Sequence, residues 1–191
     1  MNIPKGLITN INSIPSHSII AVSGFGGSGK STFAKLLGEL LDISVISIDS
    51  FQKDGAFDSE YKLWEIMDYS RLEKEVLQPF LNNQSNITYG HFDPIKRKVT
   101  DNIKINTNRK LIIEGVGLFR PELLKYFTYK IWMDSPLETS IARGKRRDKN
   151  DFGTPTDEYW DGIWKKNDLE YIEEYKPKQA ADYIFDNNIS E

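Results

Sequence analysis

The sequence predicts an α/β fold with a mainly parallel sheet, and two observations lead to this prediction. Short β-rich apolar runs alternate along the chain with segments of helical periodicity, an order typical of βαβ units. The pattern G-x-x-x-x-G-K-S occupies residues 24–31, between an apolar run and a helical segment. We therefore expect three layers, α/β/α, with ligands at the carboxyl ends of the strands. The length of 191 residues favours a single domain, 1–191.

The glycine-rich stretch matches the P-loop pattern, in which backbone N–H groups and a helix N-terminus face the phosphates of a nucleotide. Lys30 would reach the β- and γ-phosphates, and the hydroxyl of Ser31 would hold Mg²⁺. The alternative is a glycine-rich turn that joins a strand to a helix by chance. The residues expected to bind the nucleotide are Gly24, Gly26, Gly27, Ser28, Gly29, Lys30, Ser31 and Thr32.

The elements around this stretch follow from local patterns. Residues 1–17 are polar, contain two prolines and are expected to form a lead-in with one short helix. The apolar, partly β-branched run 18–23 predicts the first strand, and leucine spacing predicts a helix over 30–41. The alternating run 43–48 predicts the second strand, which ends at Asp49.

The middle of the chain combines a helical stretch with two short strands. Residues 60–82 are helical in pattern and are expected to form two helices. Ser70 and Glu73 would form a capping box where the two helices meet. Strands are predicted at 87–89 and 99–105, joined by a basic loop.

The last third of the chain returns to alternating strands and helices. The run 111–115 predicts a buried strand that carries a carboxylate at its end. A short helix over 121–126, a strand over 129–133 and a helix over 136–147 follow. Residues 148–155 are rich in glycine and charge and are expected to form a loop, and 143–155 together a lid.

Residues 156–175 are predicted to form one helix, and 183–185 a last strand. Four aromatic side chains recur at helical spacing in that helix, and such a stripe is more often part of a core than a binding surface. These residues are Trp160, Trp164, Tyr171 and Tyr175.

The composition is that of a globular chain without cysteine. Charged residues make up 28% and hydrophobic residues 39% of the sequence. A net charge of −3 argues against nucleic acid as the main partner. The absence of cysteine excludes disulfides and cysteine-based metal sites. No signal-peptide core and no membrane-length apolar run is present, so we expect a cytoplasmic protein with no membrane partner. Formation of a homo-oligomer is left open.

The order of several short segments resembles that of the uridine kinase and phosphoribulokinase family, over about residues 18–187. This resemblance implies a P-loop NTPase fold with a lid, similar to nucleoside kinases. It also implies an ATP- and Mg²⁺-dependent kinase that phosphorylates an alcohol group. The matching segments are 24–31, Asp49-Ser50-Phe51, Ile113-Glu114-Gly115, Arg143 with Arg147-Asp148, and Pro177 with Ala181-Asp182.

The resemblance assigns roles to four further residues. Asp49 matches an aspartate that acts as general base or organises magnesium, although an aspartate there can also cap a turn. Glu114 matches a magnesium-site carboxylate, and the alternative is a strand-end residue that reaches solvent. Arg143 and Arg147 match lid arginines that close over the phosphates, and the alternative is a solvated basic helix end.

The acceptor site resembles the family least. Glu65 stands near the position of the family's ribose-binding aspartate, on a segment similar to Phe-Asp-His-Pro-Asp, and Asp68 on that segment could do the same work. The alternative is a solvated helix carboxylate. Tyr89, His91 and Arg97 lie in the stretch similar to the base-reading segment, but Gly90 replaces its aspartate. A pyrimidine pocket is therefore not supported residue by residue, and these four residues are the candidates for the acceptor.

The sequence leaves three classes of function open. The leading hypothesis is a kinase for a nucleoside such as uridine or cytidine, with pantothenate or another sugar-like alcohol as alternative acceptors. A second hypothesis is an ATP-binding regulatory protein of the same fold that does not phosphorylate an acceptor. A P-loop ATPase coupled to a partner is disfavoured by the size and acidity of the chain.

Overall fold

The computed structural model describes residues 1–55, 66–107, 109–153 and 156–188. Its main sheet has five strands in the order β2-β5-β1-β6-β7, and all four pairings are parallel. This confirms the predicted α/β class with a parallel sheet. The strands of the protein are β1 (Ser18–Gly24), β2 (Ser44–Ser47), β3 (Asn86–Asp93), β4 (Lys98–Asn106), β5 (Lys110–Glu114), β6 (Tyr129–Asp134) and β7 (Tyr183–Asp186).

The helices include one in the lead-in, as expected. A 3₁₀ turn over Ile48–Phe51 follows β2 directly. The helices are α1 (Lys5–Ser13), α2 (Lys30–Leu41), α3 (Tyr69–Leu72, the π-helical turn Glu73–Leu77 and Gln78–Leu81), α4 (Pro121–Leu124), α5 (Leu137–Phe152), α6 (Asp157–Asp161), α7 (Ile163–Tyr175) and α8 (Pro177–Ala180).

Successive side chains of a strand point to opposite faces, so the sheet carries one buried cluster on each face. In β1, Ile20 and Val22 pack with α1 and α2, whereas Ile19 and Ala21 pack with α3, α4 and α7. Because all seven residues of β1 are buried, both faces are covered, as in other parallel sheets. This arrangement confirms the three layers α/β/α.

The hairpin β3–β4 is a separate two-stranded antiparallel sheet. Its strands are longer than the two short strands predicted from sequence, and a turn over 94–97 joins them. Phe92, Tyr89 and Ile87 belong to the same buried cluster as the α3 face of the main sheet. The hairpin therefore extends the core beyond β2.

The predicted cap of α3 is wrong. Asp68 is the N-cap residue, and its Oδ1 accepts a hydrogen bond from the N–H of Arg71 at 2.9 Å. Glu73 does not complete a capping box with Ser70 but accepts a hydrogen bond from the hydroxyl of Tyr126. The first part of the predicted helical stretch, 60–65, lies outside the described residues.

Two predicted boundaries in the last third are also wrong. Residues 148–152 continue α5 instead of forming a loop, and the helix ends at Gly153 with φ of 67°. The predicted helix 156–175 breaks at Gly162, whose ψ of −108° is not helical. Among the described residues, no helix is both long and apolar enough to cross a membrane.

Candidate active site

A pocket of about 190 Å³ lies where three neighbouring strands end. β1 leads into the glycine loop, β2 into the 3₁₀ turn that contains Asp49, and β5 ends at Glu114. Because these strands are parallel and adjacent, their carboxyl ends meet at one edge of the sheet. Four residues singled out in the sequence line this pocket together: Lys30, Ser31, Asp49 and Glu114.

The glycine loop adopts a conformation that depends on its glycines. Gly27 has φ of 74° and Gly29 has φ of 94°, a region that L-residues rarely occupy. A Cβ on Gly27 would also lie 2.0 Å from the carbonyl oxygen of Ser140 in α5. The loop is therefore packed directly against α5.

Lys30 is almost fully buried beneath the loop, with 6% of its surface exposed. Its ammonium donates a hydrogen bond to the carbonyl oxygen of Phe25 at 2.6 Å. Burial lowers the pKa of Lys30, whereas the nearby carboxylates of Glu114, Asp168 and Asp49 raise it. The side chain is thus a cation held among three carboxylates at the base of the pocket.

Glu114 and Asp49 form a pair of carboxylates beside this cation. Glu114 is buried, and its Oε2 accepts a hydrogen bond from the hydroxyl of Ser31 at 3.2 Å. Burial raises the pKa of Glu114, and the charge of Asp49 raises it further. Asp49 itself is open to solvent. Desolvation by the surrounding protein raises the pKa of Asp49, whereas the positive charges of Lys30 and Arg147 lower it. The exposure of Asp49 to solvent weakens the effect of desolvation.

The backbone after Glu114 explains why glycine follows it. Gly115 has φ of 151°, and a Cβ there would lie 2.1 Å from Cγ2 of Ile48. Only glycine therefore lets β5 end against the 3₁₀ turn that holds Asp49. This contact brings the two carboxylates to the same pocket.

The side chains of Asp49, Glu114 and Ser31 fit Mg²⁺ bound beside a nucleotide phosphate. Two carboxylates and one hydroxyl supply hard oxygen ligands, and Mg²⁺ is usually bound through one or two carboxylates plus phosphates and water. The described residues contain no cluster of three or more His, Cys, Asp or Glu residues that could hold a metal by themselves.

The two predicted lid arginines are in different places. Arg147 lines the pocket, and its Nε and Nη2 donate hydrogen bonds to Oδ1 of Asp148 at 2.9 and 2.6 Å. Arg143 instead donates to Oγ of Ser135 at 3.3 Å and to the carbonyl oxygen of Asn187 at 3.2 Å. The amide of Asn187 binds the carbonyl oxygen of Ser28, so Arg143 lies on another side of the glycine loop.

Three of the four predicted acceptor residues lie in the part of the chain that the structure describes, and none of the three lines this pocket. Tyr89 is buried in the core and stacks on Phe51, with ring centroids 5.4 Å apart. His91 Nδ1 shares a hydrogen bond of 3.0 Å with the hydroxyl of Ser50. Arg97 is exposed on the turn of the β3–β4 hairpin. Glu65 lies outside the described residues.

Other residues, which sequence reasoning missed, form the remaining wall of the pocket. Asp168 is 3% exposed, and its Oδ2 accepts a hydrogen bond from the N–H of Gly26 at 3.0 Å. Burial raises the pKa of Asp168 to about 6. Trp164 and Asp168 lie four residues apart on α7, a spacing that could have pointed to a shared face, whereas Trp160 lies on α6, before the break at Gly162. The other residues of this wall are Gln52, Ile66, Met67 and Val116.

The predicted aromatic stripe is divided between core and pocket. Tyr171 is fully buried, and its hydroxyl accepts a hydrogen bond from the N–H of Phe119 at 2.8 Å. Trp160 and Trp164 line the pocket and contact each other edge to face, with centroids 4.9 Å apart. The core interpretation therefore holds for Tyr171, whereas the two tryptophans also face the site.

Comparison with known proteins identifies the family. A family model described as an AAA domain matches residues 20–172. The uridine kinase of Pectobacterium atrosepticum is 30% identical over 184 residues, which cover 87% of this chain and 85% of that protein.

Two solved structures share the fold. A possible uridine kinase from Bacillus stearothermophilus superposes with a TM-score of 0.73, at 19% identity over 95% of this chain and 96% of that one. D-glycerate 3-kinase from Cryptococcus neoformans has a TM-score of 0.56, at 11% identity over 86% of this chain and 83% of that one. With its P-loop, its parallel sheet and these relatives, the chain belongs to the uridine kinase family of P-loop kinases.

Proposed function

We propose that this kinase transfers the γ-phosphoryl group of ATP to a hydroxyl group of a small metabolite, and that a nucleoside such as uridine or cytidine is the first candidate. The observation that carries the proposal is the convergence of Lys30, Ser31, Asp49 and Glu114 in one pocket. The relatives named uridine kinase support the choice of acceptor.

The nucleotide would occupy the glycine loop. The backbone N–H groups of the loop and the ammonium of Lys30 would bind the β- and γ-phosphates. Ser31, Glu114 and Asp49 would hold Mg²⁺, which neutralises charge on the two phosphates when bound. Arg147 would add a second positive charge from the opposite wall.

Asp49 is the best-placed general base. It is open to solvent, whereas Glu114 is buried and already bonded to Ser31. Asp49 would orient the acceptor hydroxyl and accept its proton. The acceptor oxygen then bonds to the γ-phosphorus while the bond from that phosphorus to the β–γ bridging oxygen breaks, and ADP leaves.

A non-nucleoside alcohol is the second candidate acceptor. It is favoured by the positions of Tyr89, His91 and Arg97, none of which lines the pocket. The same fold also occurs in D-glycerate 3-kinase, so the fold does not determine the acceptor.

Acceptor-dependent ADP release tests the proposal. Mg-ATP would be incubated with uridine, cytidine, pantothenate and small sugar alcohols in turn, with Asp49→Asn as the inactive control. We expect the wild type, but not Asp49→Asn, to release ADP when uridine or cytidine is added. Release with only a non-nucleoside acceptor would replace the nucleoside assignment. ATP binding without acceptor-dependent release would favour a regulatory protein instead.

A further inference from the structure

The side-chain amide of Gln52 is a polar group of the pocket that the proposed phosphoryl transfer does not use. Gln52 is half-buried and lines the pocket three residues after Asp49. Its Oε1 is buried and accepts no hydrogen bond from any of the described residues. A buried amide oxygen without a donor is unfavourable, so a ligand that supplies a donor would gain affinity.

The backbone of Gln52 is held from several sides. Gln52 and Met67 form an antiparallel bridge. On either side of it, the N–H of Lys53 donates to the carbonyl oxygen of Ile66 at 2.8 Å, and the N–H of Asp68 donates to that of Phe51 at 2.6 Å. The backbone of Gln52 is therefore held at the edge of the pocket that its side chain lines.

The backbone of this turn is also clamped by a cation. Arg71 donates from Nη2 to the carbonyl oxygen of Ser50 at 2.6 Å and to that of Gln52 at 3.4 Å. Its guanidinium carbon lies 4.8 Å from the ring centroid of Phe51. The main-chain oxygen of Gln52 is thus engaged, which leaves the side-chain amide as the group that can bind a ligand.

Part of the pocket wall is apolar and aromatic. Trp160 and Trp164 lie on the helices α6 and α7, and Ile66, Met67 and Val116 complete this wall. Apolar and aromatic side chains suit the faces of a planar ring, and an amide suits its hydrogen-bonding edge. The pocket therefore combines features that recognise a planar ring with an N–H and a C=O group.

We propose that Gln52 is the specificity-determining residue for the acceptor, and that its amide pairs with the adjacent N–H and C=O groups of a pyrimidine ring such as uracil. An amide carries one acceptor oxygen and an NH₂ donor, so it can form two hydrogen bonds with such an edge. Gln52 would thus take the place of the segment containing Tyr89, His91 and Arg97. This inference rests on the proposed nucleoside kinase activity.

The test compares uridine with 3-methyluridine, in which the ring N–H is replaced by a methyl group. Wild-type kcat/KM should be at least about 100-fold lower for 3-methyluridine, because a site built to bond an N–H rejects an analogue without it. Gln52→Met keeps the length of the side chain but removes both hydrogen bonds. In this variant the kcat/KM for uridine should fall by about 10-fold or more, and most of the discrimination between uridine and 3-methyluridine should be lost. The Kd for ATP should stay unchanged.

Gln84→Met is the matched control, because Gln84 is exposed on the turn before β3 and away from the pocket. This variant should retain the wild-type kcat/KM for uridine and the wild-type discrimination against 3-methyluridine. Equal turnover of uridine and 3-methyluridine by the wild type would overturn the role of Gln52 and leave a nucleoside kinase. Unchanged discrimination in Gln52→Met would do the same. Absence of turnover with every nucleoside would overturn the nucleoside assignment itself, and the role of Gln52 with it.

Discussion

The carboxylate of Asp168 in α7 accepts a hydrogen bond from the backbone N–H of Gly26 at 3.0 Å, across 142 residues of sequence. An N–H of the glycine loop is thus held by a carboxylate from the last third of the chain. Asp168 is almost fully buried, and Lys30 partly offsets the cost of its charge. This contact couples the glycine loop to α7.

The charge of Asp168 should make stability depend on pH. Its pKa is raised from 3.8 to about 6, so the folded protein binds this proton more tightly than the unfolded chain. Stability therefore falls as the pH rises from about 4 to about 6, and the full penalty, roughly 1–3 kcal/mol, persists above that range.

Asp168→Asn isolates this effect, because asparagine can still accept the Gly26 N–H without a charge. At pH 7.5 the variant should be more stable than the wild type by that amount, and the difference should shrink toward pH 4. Urea unfolding of both proteins at pH 4, 5.5 and 7.5 measures it. A difference that does not vary with pH would contradict the raised pKa.

Lys30→Ala should abolish phosphoryl transfer and weaken ATP binding by about 10-fold or more, since the cation nearest the phosphates is removed. The loss also leaves the charges of Glu114, Asp49 and Asp168 without their shared cation. Titration calorimetry with a non-hydrolysable ATP analogue, together with the ADP-release assay, measures both effects. Lys35→Ala on the exposed face of the same helix is the control and should match the wild type. Wild-type turnover by Lys30→Ala would contradict the assignment of the glycine loop.

Asp49→Asn should keep nucleotide binding but slow transfer by about 10²-fold or more, the usual scale for loss of a general base. Asparagine has a similar shape but cannot accept the proton of the acceptor hydroxyl. Single-turnover kinetics at saturating Mg-ATP separates the chemical step from binding. Asp42→Asn is a suitable control, because Asp42 is exposed and its φ of 53° is one that asparagine tolerates. An unchanged rate in Asp49→Asn would return Asp49 to a capping role.

The nucleotide half of the site could be predicted from sequence because it depends on local patterns. The glycine loop, Asp49 and Glu114 each end or follow a β-rich run, and parallel strands bring such ends together. The order of strands and helices was accessible for the same reason. A local assignment also failed: Asp68 caps the helix in place of Ser70, two residues earlier than predicted, by accepting the N–H of Arg71.

The rest of the candidate site could not be predicted, because packing between distant segments creates it. Asp168 meets Gly26 only when α7 packs against the glycine loop, and no local pattern records that contact. Tyr89 was chosen by its place in a family segment, yet stacking on Phe51 buries it in the core. Gln52 follows the Asp-Ser-Phe segment directly, but no local pattern shows that its side-chain oxygen is buried and accepts no hydrogen bond from the described residues.

Asp148 should be a positioning residue for Arg147. It is buried at 2% exposure, and Oδ1 accepts both hydrogen bonds from Arg147. Oδ2 accepts from the hydroxyl of Thr156 at 2.9 Å and from the indole N–H of Trp160 at 2.8 Å. Both oxygens thus accept hydrogen bonds from described donors, and one carboxylate joins α5 to α6.

Asp148→Asn should therefore lower both stability and activity, because its NH₂ group must face a donor. We expect a loss of about 1–3 kcal/mol in the free energy of unfolding and a fall of about 10-fold in kcat, with less change in the KM for ATP. Arg147→Ala should reproduce the fall in kcat with a smaller loss of stability, since the Arg147 side chain is 56% exposed and Thr156 and Trp160 still donate to Asp148. If Asp148→Asn lost stability but kept the wild-type kcat, Asp148 would have a structural role alone. If the two variants lowered kcat equally and the double variant lowered it no further, Asp148 would act through Arg147.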